Sequence, residues 1–225
     1  MKKNLIVLLT IIFALFWITT APYADTVVYN SFGSSMSTDD AFEITNITID
    51  SHIDLAQAAA FSPSATVNLT SLTGSWAANN FFSPNVGSTV IISLSMDSNG
   101  LPGTKLESWT PLAVAPVGSS APYTQNYTLT SLSNPLLSVG NTYWVQMVFP
   151  DSTDGDTLAW GFSDSAPPGN FAEGFSPLHS FDVYSLTNTV ALEVQGQAAV
   201  PEPSTMLLLG SGLLGLWGFR KKFKK

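Results

Sequence analysis

The residues best suited to metal chemistry in this sequence form an acidic turn. Asp151, Asp154 and Asp156 lie close together beside Gly155. Carboxylate and backbone carbonyl oxygens are the ligands of Ca²⁺, which takes roughly six to eight of them. The spacing is not that of an EF-hand loop, and a solvated turn between two strands would contain the same residues. The turn therefore has two interpretations, a calcium site and an ordinary acidic turn.

Aromatic side chains offer a second kind of site, because flat rings can pack against the faces of sugars. Trp144 and Trp160 lie within strongly apolar segments, so we predict that they fill the core, where aromatic rings contribute much of the buried area. Trp109 stands near Pro111 at the end of a predicted strand, and we predict that it is an exposed platform for a carbohydrate. The other candidates are Trp76, Tyr123, Tyr127 and Tyr143.

Side chains for catalysis are present, but their spacing is not distinctive. His52 and His179 are far apart in sequence, no histidine cluster indicates zinc, and no Gly-x-Ser-x-Gly segment supplies a nucleophilic serine. A glycosidase needs two carboxylates at a defined separation, one of them with a raised pKa. The eligible carboxylates are Asp97, Glu107, Asp151, Asp154, Asp156 and Glu173. None stands in a sequence context that isolates it, so we predict no enzymatic activity, with a secreted hydrolase as the less favoured alternative.

The central part of the chain is strongly acidic. Residues 25–199 contain fifteen carboxylates and a single cation, Lys105, which gives a formal charge of −14. Such a surface repels nucleic acid, so we exclude nucleic acid as a partner. The chain has no cysteine, so it cannot form disulfides, and its stability must come from packing or from bound ions.

The first residues have the composition of a secretory signal peptide. Lys2 and Lys3 precede an apolar stretch over residues 5–18, and a cleavage region that ends at Ala24 follows. We predict a signal peptide over residues 1–24, helical in its apolar part, and export of the rest of the chain.

The last residues contain a rigid motif, an apolar run and a basic tail in that order. Pro201, Glu202 and Pro203 precede an uncharged run over residues 206–219, and five cations follow within residues 220–225. As a helix the run would be about 21 Å long at ~1.5 Å per residue, which is shorter than an ordinary membrane span. We predict a transmembrane helix that anchors the chain transiently, with the cations on the cytoplasmic side.

This order of features over residues 200–225 resembles the PEP-CTERM sorting signal of Gram-negative bacteria. The residues that carry the resemblance are Val200 to Ser204, the apolar run and the basic tail. The resemblance implies recognition by an exosortase, a membrane-embedded cysteine protease that cuts near the motif. It also implies that the protein is released or transferred to the cell surface. A plain tail anchor is the alternative.

The rest of the chain consists of short β-rich runs separated by turn residues. The clearest predicted strand spans residues 89–96, with Val90, Ile92, Leu94 and Met96 on one face. Further predicted strands span residues 26–30, 44–49, 55–61, 67–76, 105–109, 123–129, 142–149, 157–162 and 189–194. A shift in the apolar alternation predicts a bulge or bend near Gly74. The Gly- and Pro-rich segment 163–177 is predicted to be a surface loop.

Short strands without a sustained helical pattern predict an all-β fold. We expect a single β-sandwich or jelly-roll-like domain over residues 25–195, followed by a linker over residues 196–199. The N-terminal signal helix and the C-terminal hydrophobic helix flank this domain.

Two segments of this domain, together with residues 56–61 before them, resemble the choice-of-anchor β-sandwich domains of exported bacterial proteins, and the likeness covers roughly residues 26–194. In the first, a strand runs into an Asp-x-x-Gly-x-Pro-Gly turn over residues 97–103. In the second, Gly140 precedes Tyr143 and Trp144 on a later strand. The resemblance implies a surface module in which these segments pack side by side. Ser95 and Met96 stand where that family has a tyrosine.

The sequence therefore predicts an exported, non-enzymatic protein of the cell surface or the extracellular matrix of a biofilm. An exosortase would process it, and extracellular polysaccharide would be its partner. The alternative from another class is a lectin-like carbohydrate-binding module that uses Trp109.

Overall fold

The computed structural model describes residues 24–32, 40–45, 53–80, 83–117, 124–152, 155–162, 169–175, 180–186 and 189–198. Within these residues all regular structure is β-strand, and residues Asp25–Ala198 form one compact unit. The two predicted flanking helices lie outside the described residues. In chain order the strands are β1 (Thr26–Asn30), β2 (Asp40–Thr45), β3 (Ile53–Phe61), β4 (Val67–Asn80), β5 (Ser83–Gly87), β6 (Thr89–Ser98), β7 (Leu101–Ala113), β8 (Gln125–Thr130), β9 (Leu136–Leu137), β10 (Tyr143–Ser152), β11 (Thr157–Phe162), β12 (Gly169–Phe175), β13 (Ser180–Leu186) and β14 (Leu192–Ala198).

The first sheet has eight strands and is organised around β4, which is 14 residues long. On one side of β4, β14 pairs with its first half and β11 with its second half, and β1 and β2 extend the sheet beyond them. On the other side, β9, β8 and β5 pair with β4 in that order along its length. One long strand therefore holds two sets of shorter strands in a single sheet.

The second sheet has six strands in the order β13-β12-β3-β10-β6-β7. All of its pairings are antiparallel. The strands β6 and β7 form a hairpin, and the turn between them places Asn99 and Gly100 at positive φ, the conformation that Asn-Gly pairs favour in tight hairpins.

The core contains apolar side chains from both sheets. Val90, Ile92 and Leu94 of β6 are fully buried, as their alternation predicts. Trp160 is buried too, and its ring meets that of Trp76 edge-on with the centroids 5.8 Å apart. An all-β fold with two sheets around a common core agrees with the predicted β-sandwich.

The two segments that resemble choice-of-anchor domains lie side by side, as that resemblance implies. The Asp97 carboxylate accepts hydrogen bonds from Gly100 N at 3.1 Å and from Trp144 Nε1 at 2.7 Å. A Cβ atom on Gly103 would lie only 2.6 Å from the Cβ of Ser98, so the returning strand needs glycine there. Asp97 therefore joins the hairpin to β10, and Gly103 allows the two strands of the hairpin to approach each other.

Several boundaries differ from the sequence-based predictions. Residues 169–175 of the predicted loop form β12, because Phe171 pairs with Ala59 of β3 on one side and with Tyr184 of β13 on the other. Residues 196–198 of the predicted linker continue β14, where Ala198 pairs with Val67. The bulge in β4 lies at Thr70 and not near Gly74. Leu69 and Ser71 of β4 pair with the consecutive residues Gly196 and Gln195 of β14, so Thr70 is the extra residue between them. Strand β2 begins at Asp40, four residues before the start of the predicted strand over residues 44–49, and residues 46–49 lie outside the described residues.

Candidate functional site

The prediction that Trp109 is an exposed platform is wrong. Its side chain is only 9% exposed and belongs to the core, because Trp109 pairs with the inward-facing Ile92. Trp109 Nε1 donates a hydrogen bond to the carbonyl of Thr130 at 2.8 Å, which joins β7 of one sheet to β8 of the other. Strand β7 does not end near Pro111 but passes through an irregular pairing there and continues to Ala113. An edge strand tolerates proline in this way.

The other aromatic candidates that the structure describes also serve packing. Trp76, Tyr143, Trp144 and Trp160 are buried, as we predicted for Trp144 and Trp160. Trp144 forms a small separate cluster with Ala58, Ala60 and Ala172. Tyr127 is partly buried, and its hydroxyl accepts a hydrogen bond from Ala115 N at 2.6 Å. Tyr123 lies outside the described residues. These rings therefore do not form a flat exposed surface for a sugar.

Glu107 holds the loop between β8 and β9. Its carboxylate accepts hydrogen bonds from the Ser131 hydroxyl and Leu132 N, both at 2.6 Å, and from Ser133 N at 3.2 Å. Burial would raise the pKa of Glu107, but these hydrogen bonds to the charged form outweigh that effect and lower the pKa below its ordinary value. Glu107 is therefore an ionised structural group.

Glu173 occupies a different environment. It pairs across strands with Gln57, which is fully buried and donates from Nε2 to the carbonyl of Phe42 at 3.0 Å. Burial raises the pKa of Glu173, and a hydrogen bond with Gln57 lowers it only in part. Asp97 and Glu107 therefore have structural partners, whereas Glu173 is a half-buried carboxylate whose pKa is raised.

The acidic turn lies at the end of β10. Asp151 is exposed, has a positive φ of 55° and donates its backbone N–H to Asp54 Oδ1 at 2.9 Å. Asp156 is buried, with 1% exposure. Asp154 lies outside the described residues, and the described residues alone contain no group of three or more metal-binding side chains that could hold an ion. The calcium site therefore stays a prediction. His52 and His179 also lie outside the described residues.

The chain enters β1 and leaves β14 at the same end of the sandwich, where β4 begins. The last residue of β14, Ala198, pairs with Val67, the first residue of β4. The first residue of β1, Thr26, pairs with Gly196, two residues before the end of β14. We refer to this end of the sandwich, where β4 begins and β14 finishes, as the exit end. The predicted sorting residues Pro201, Glu202 and Pro203 follow it along the chain and lie outside the described residues.

Among the residues that the structure describes, no helix has the length and apolar character to cross a bilayer. The predicted transmembrane run over residues 206–219 lies outside those residues.

Comparison with known proteins identifies the segment that follows the exit end. Searches of curated proteins and of solved structures each find no match to the chain. The family model of the PEP-CTERM protein-sorting motif matches residues 199–222. This match confirms the resemblance seen in Pro201, Glu202, Pro203 and the residues after them, and it implies an exported protein that an exosortase, a membrane enzyme, processes. The chain therefore carries a PEP-CTERM protein-sorting motif directly after the last strand of an all-β domain.

Proposed function

We propose that this protein is a non-enzymatic component of the cell surface or extracellular matrix, and that an exosortase removes its C-terminal tail after export. The observation that carries the proposal is the sorting motif at residues 199–222, which begins one residue after β14 ends. In this proposal the signal peptide over residues 1–24 directs export, and residues 206–219 anchor the chain until it is cut. The β-sandwich is then the part that remains outside the cell.

Two features of the sandwich support a structural role. Asp97 and Glu107 each accept hydrogen bonds from the backbone, so these carboxylates stabilise turns and loops. The formal charge of −14 over residues 25–199 favours a soluble module in a hydrated, polymer-rich layer. Extracellular polysaccharide is the partner that fits such a layer, and bound cations would reduce the repulsion if that polymer is also anionic.

The lectin-like alternative has less support than the sequence suggested. Trp109, the residue that we predicted would bind the sugar, packs in the core and donates its indole N–H to the carbonyl of Thr130. A lectin function would therefore need a different surface. Binding to a glycan array, followed by loss of binding when an exposed residue is changed, would favour this alternative.

The experiment that tests the proposal is the intact mass of the mature protein in the native host. We expect a C-terminus near residues 201–203 in the wild-type host and a chain that retains residues 220–225 in a strain without the exosortase. A double variant, Pro201→Ala with Pro203→Ala, should accumulate in the uncut form. The matched control is Gln197→Ala, an exposed change in β14 that should be cut normally.

Fractionation of the same strains tests the location and the partner. The cut protein should appear in the surface or matrix fraction and should sediment with purified extracellular polysaccharide of the host. Retention of the basic tail in the wild-type host would contradict processing. Normal processing without sedimentation would contradict only the polysaccharide partner.

A further inference from the structure

Large apolar side chains are exposed at the exit end of the sandwich. Leu132, Leu136 and Val139 are 85%, 53% and 58% exposed, and Met96 and Leu101 are exposed as well. We refer to these five side chains as the exit-end patch. Among the side chains whose exposure the structure describes, the other large apolar one that is exposed is that of Val27 in β1, the strand that starts at the exit end.

Strand register places the members of the patch in the first sheet. Leu136 pairs with Asn68, the second residue of β4. Val139 N donates a hydrogen bond to the hydroxyl of Thr66, the residue just before β4, at 3.1 Å. Leu136 and Val139 therefore lie beside the start of β4, where β14 finishes.

The remaining members come from the second sheet and its link to the first. Met96 pairs with Tyr143, the first residue of β10, and Leu101 opens β7 at the hairpin turn. The backbone N–H of Asp97 donates to the carbonyl of Thr142 at 3.1 Å, so the hairpin lies next to the segment that leads from Val139 into β10. The patch thus includes parts of both sheets at one end.

The loop that carries three of the five side chains is held in place. Glu107 binds its beginning, and the Asn134 side chain donates to the carbonyl of Leu69 at 2.8 Å. Near its other end, Ser138 N donates to the Tyr143 hydroxyl at 2.8 Å. These bonds fix the backbone while they leave Leu132, Leu136 and Val139 pointing into solvent. Exposed apolar side chains on a fixed loop are unfavourable in water unless another surface covers them.

Charge is distributed unevenly between the two ends. The acidic residues Asp54, Asp151 and Asp156 lie at the end opposite the patch, where Ile53 pairs with Ser152 and Thr157 pairs with Asn79. Lys105, the single cation of residues 25–199, is exposed in β7 and pairs with Ser95, close to Met96.

The exit end also has acidic residues, namely Asp25, Asp97 and Glu107. Asp97 and Glu107 accept hydrogen bonds from the hairpin and from the loop, but these bonds do not remove their charge. With Lys105 beside them the formal charge of this group is −2, against −3 for Asp54, Asp151 and Asp156, so the exit end is the more apolar and the slightly less negative of the two.

The chain fixes how far the exit end can lie from a bilayer that holds the tail. Only residues 199–205 separate Ala198 from the apolar run that starts at Met206. Fully extended, this segment spans no more than about 25 Å at roughly 3.3 Å per residue. Strand β4 alone is about 43 Å long at ~3.3 Å per residue, so the opposite end can be held well away from the bilayer.

We propose that the exit-end patch docks onto the lipid surface while the tail is in the membrane, so that the sandwich stands on the bilayer with its acidic end outward. The proposal rests on the proposed function, because it requires the tail to be inserted. Residues 199–205 tether the domain to the inserted tail, so the exit-end patch has a high local concentration at the lipid surface. A patch too small to bind vesicles by itself is then sufficient to orient the domain. Lys105 lies near the level of the phosphates of anionic lipids in this orientation.

The absence of cysteine from the chain gives a clean test. The full chain, produced in a host without exosortase, is labelled with an environment-sensitive fluorophore at a single introduced cysteine. The reporter is Asn141→Cys, which is exposed next to the patch but not part of it. The matched control is Ala113→Cys, which is exposed at the opposite end, where Ala113 pairs with Thr89. The proteins are reconstituted into vesicles of phosphatidylethanolamine and phosphatidylglycerol.

We expect the label at residue 141 to become blue-shifted and to lose its quenching by aqueous iodide, while the label at residue 113 stays fully quenched. The double variant Leu136→Ser with Val139→Ser changes only exposed side chains, so it should fold normally. It should still float with the vesicles, but the label at residue 141 should regain its quenching.

Each other outcome has a distinct meaning. A full chain that fails to float with vesicles would contradict tail insertion, and thus the proposed function. A chain that floats but whose label at residue 141 stays quenched would overturn docking alone. Protection that arises only when exosortase is added to the vesicles would also overturn docking on lipid, because the patch would then be a surface for the protease.

Discussion

The bond between Glu107 and the loop after β8 allows a quantitative prediction. The change is Glu107→Gln, which keeps the shape of the side chain and removes its charge. Three donors point at this carboxylate, two of them at 2.6 Å. A glutamine can still accept from the two backbone N–H groups with its one oxygen, but its NH₂ group then faces the Ser131 hydroxyl, which must turn to accept from it, and all three bonds lose the charge. Hydrogen bonds to a charged group contribute about 1.5–3 kcal/mol, so we expect a loss of about 2 kcal/mol in the free energy of unfolding.

The pH dependence of this loss follows from the sign of the pKa shift. Because folding lowers the pKa of Glu107, the ionised carboxylate stabilises the native state at any pH above its pKa in the unfolded chain. That stabilisation is lost as the pH falls through the lower, native pKa. The difference between wild type and Glu107→Gln should therefore be full at pH 7 and should shrink in strong acid.

Thermal unfolding of the isolated domain, residues 25–198, measures both effects. A change of 1 kcal/mol shifts the melting temperature of a domain of this size by about 2–4 °C, so Glu107→Gln should melt about 4–8 °C below wild type at pH 7. Equal melting temperatures at pH 7 would refute the reasoning. So would a difference that persists unchanged below the native pKa, since the bonds would then not depend on the charge.

Three further changes have defined expectations. Glu173→Gln should stabilise the domain at pH 7 by less than about 1 kcal/mol, because burial raises the pKa of Glu173 and so disfavours its charged form. The gain should vanish in acid, where wild-type Glu173 is protonated. Denaturant titration at both pH values measures this difference. Trp109→Phe removes the bond to Thr130 and replaces the indole with a smaller ring in the core, so denaturant titration should show a loss of about 1–3 kcal/mol. An unchanged stability would show that neither this bond between the sheets nor the packing of the indole contributes. Gly74→Ala places a Cβ 2.1 Å from the ring of Trp76, so a loss of about 1–3 kcal/mol is expected, and a neutral result would show that the indole can move aside.

The strands with clean alternation were predictable from the sequence. Val90, Ile92 and Leu94 face the core of β6 as predicted, and the all-β class follows from such segments. Strand β12 was missed because the glycines and prolines around Phe171 are typical of a loop. The segment is a strand because its backbone hydrogen-bonds to β3 on one side and to β13 on the other. Long-range pairing of this kind leaves no local signal.

The position of Trp109 was not predictable for a related reason. Pro111 ends a strand in most contexts, and nothing local shows that β7 is an edge strand with an irregular pairing at that point. Likewise, the roles of Asp97 and Glu107 depend on partners more than twenty residues away, Trp144 and the loop after β8. The sorting motif at residues 199–222 was predictable because all of its features are adjacent in sequence.

The place of β14 in the first sheet has a consequence for the order of events during export. This strand lies between β1 and β4, so neither of them has its full set of neighbours until residues 192–198 are present. In a chain that crosses the inner membrane from its N-terminus, these residues emerge last, just ahead of the sorting motif. The sheet therefore closes only once residues 192–198 have emerged, and an export intermediate arrested any earlier has two unpaired strand edges exposed to chaperones and proteases.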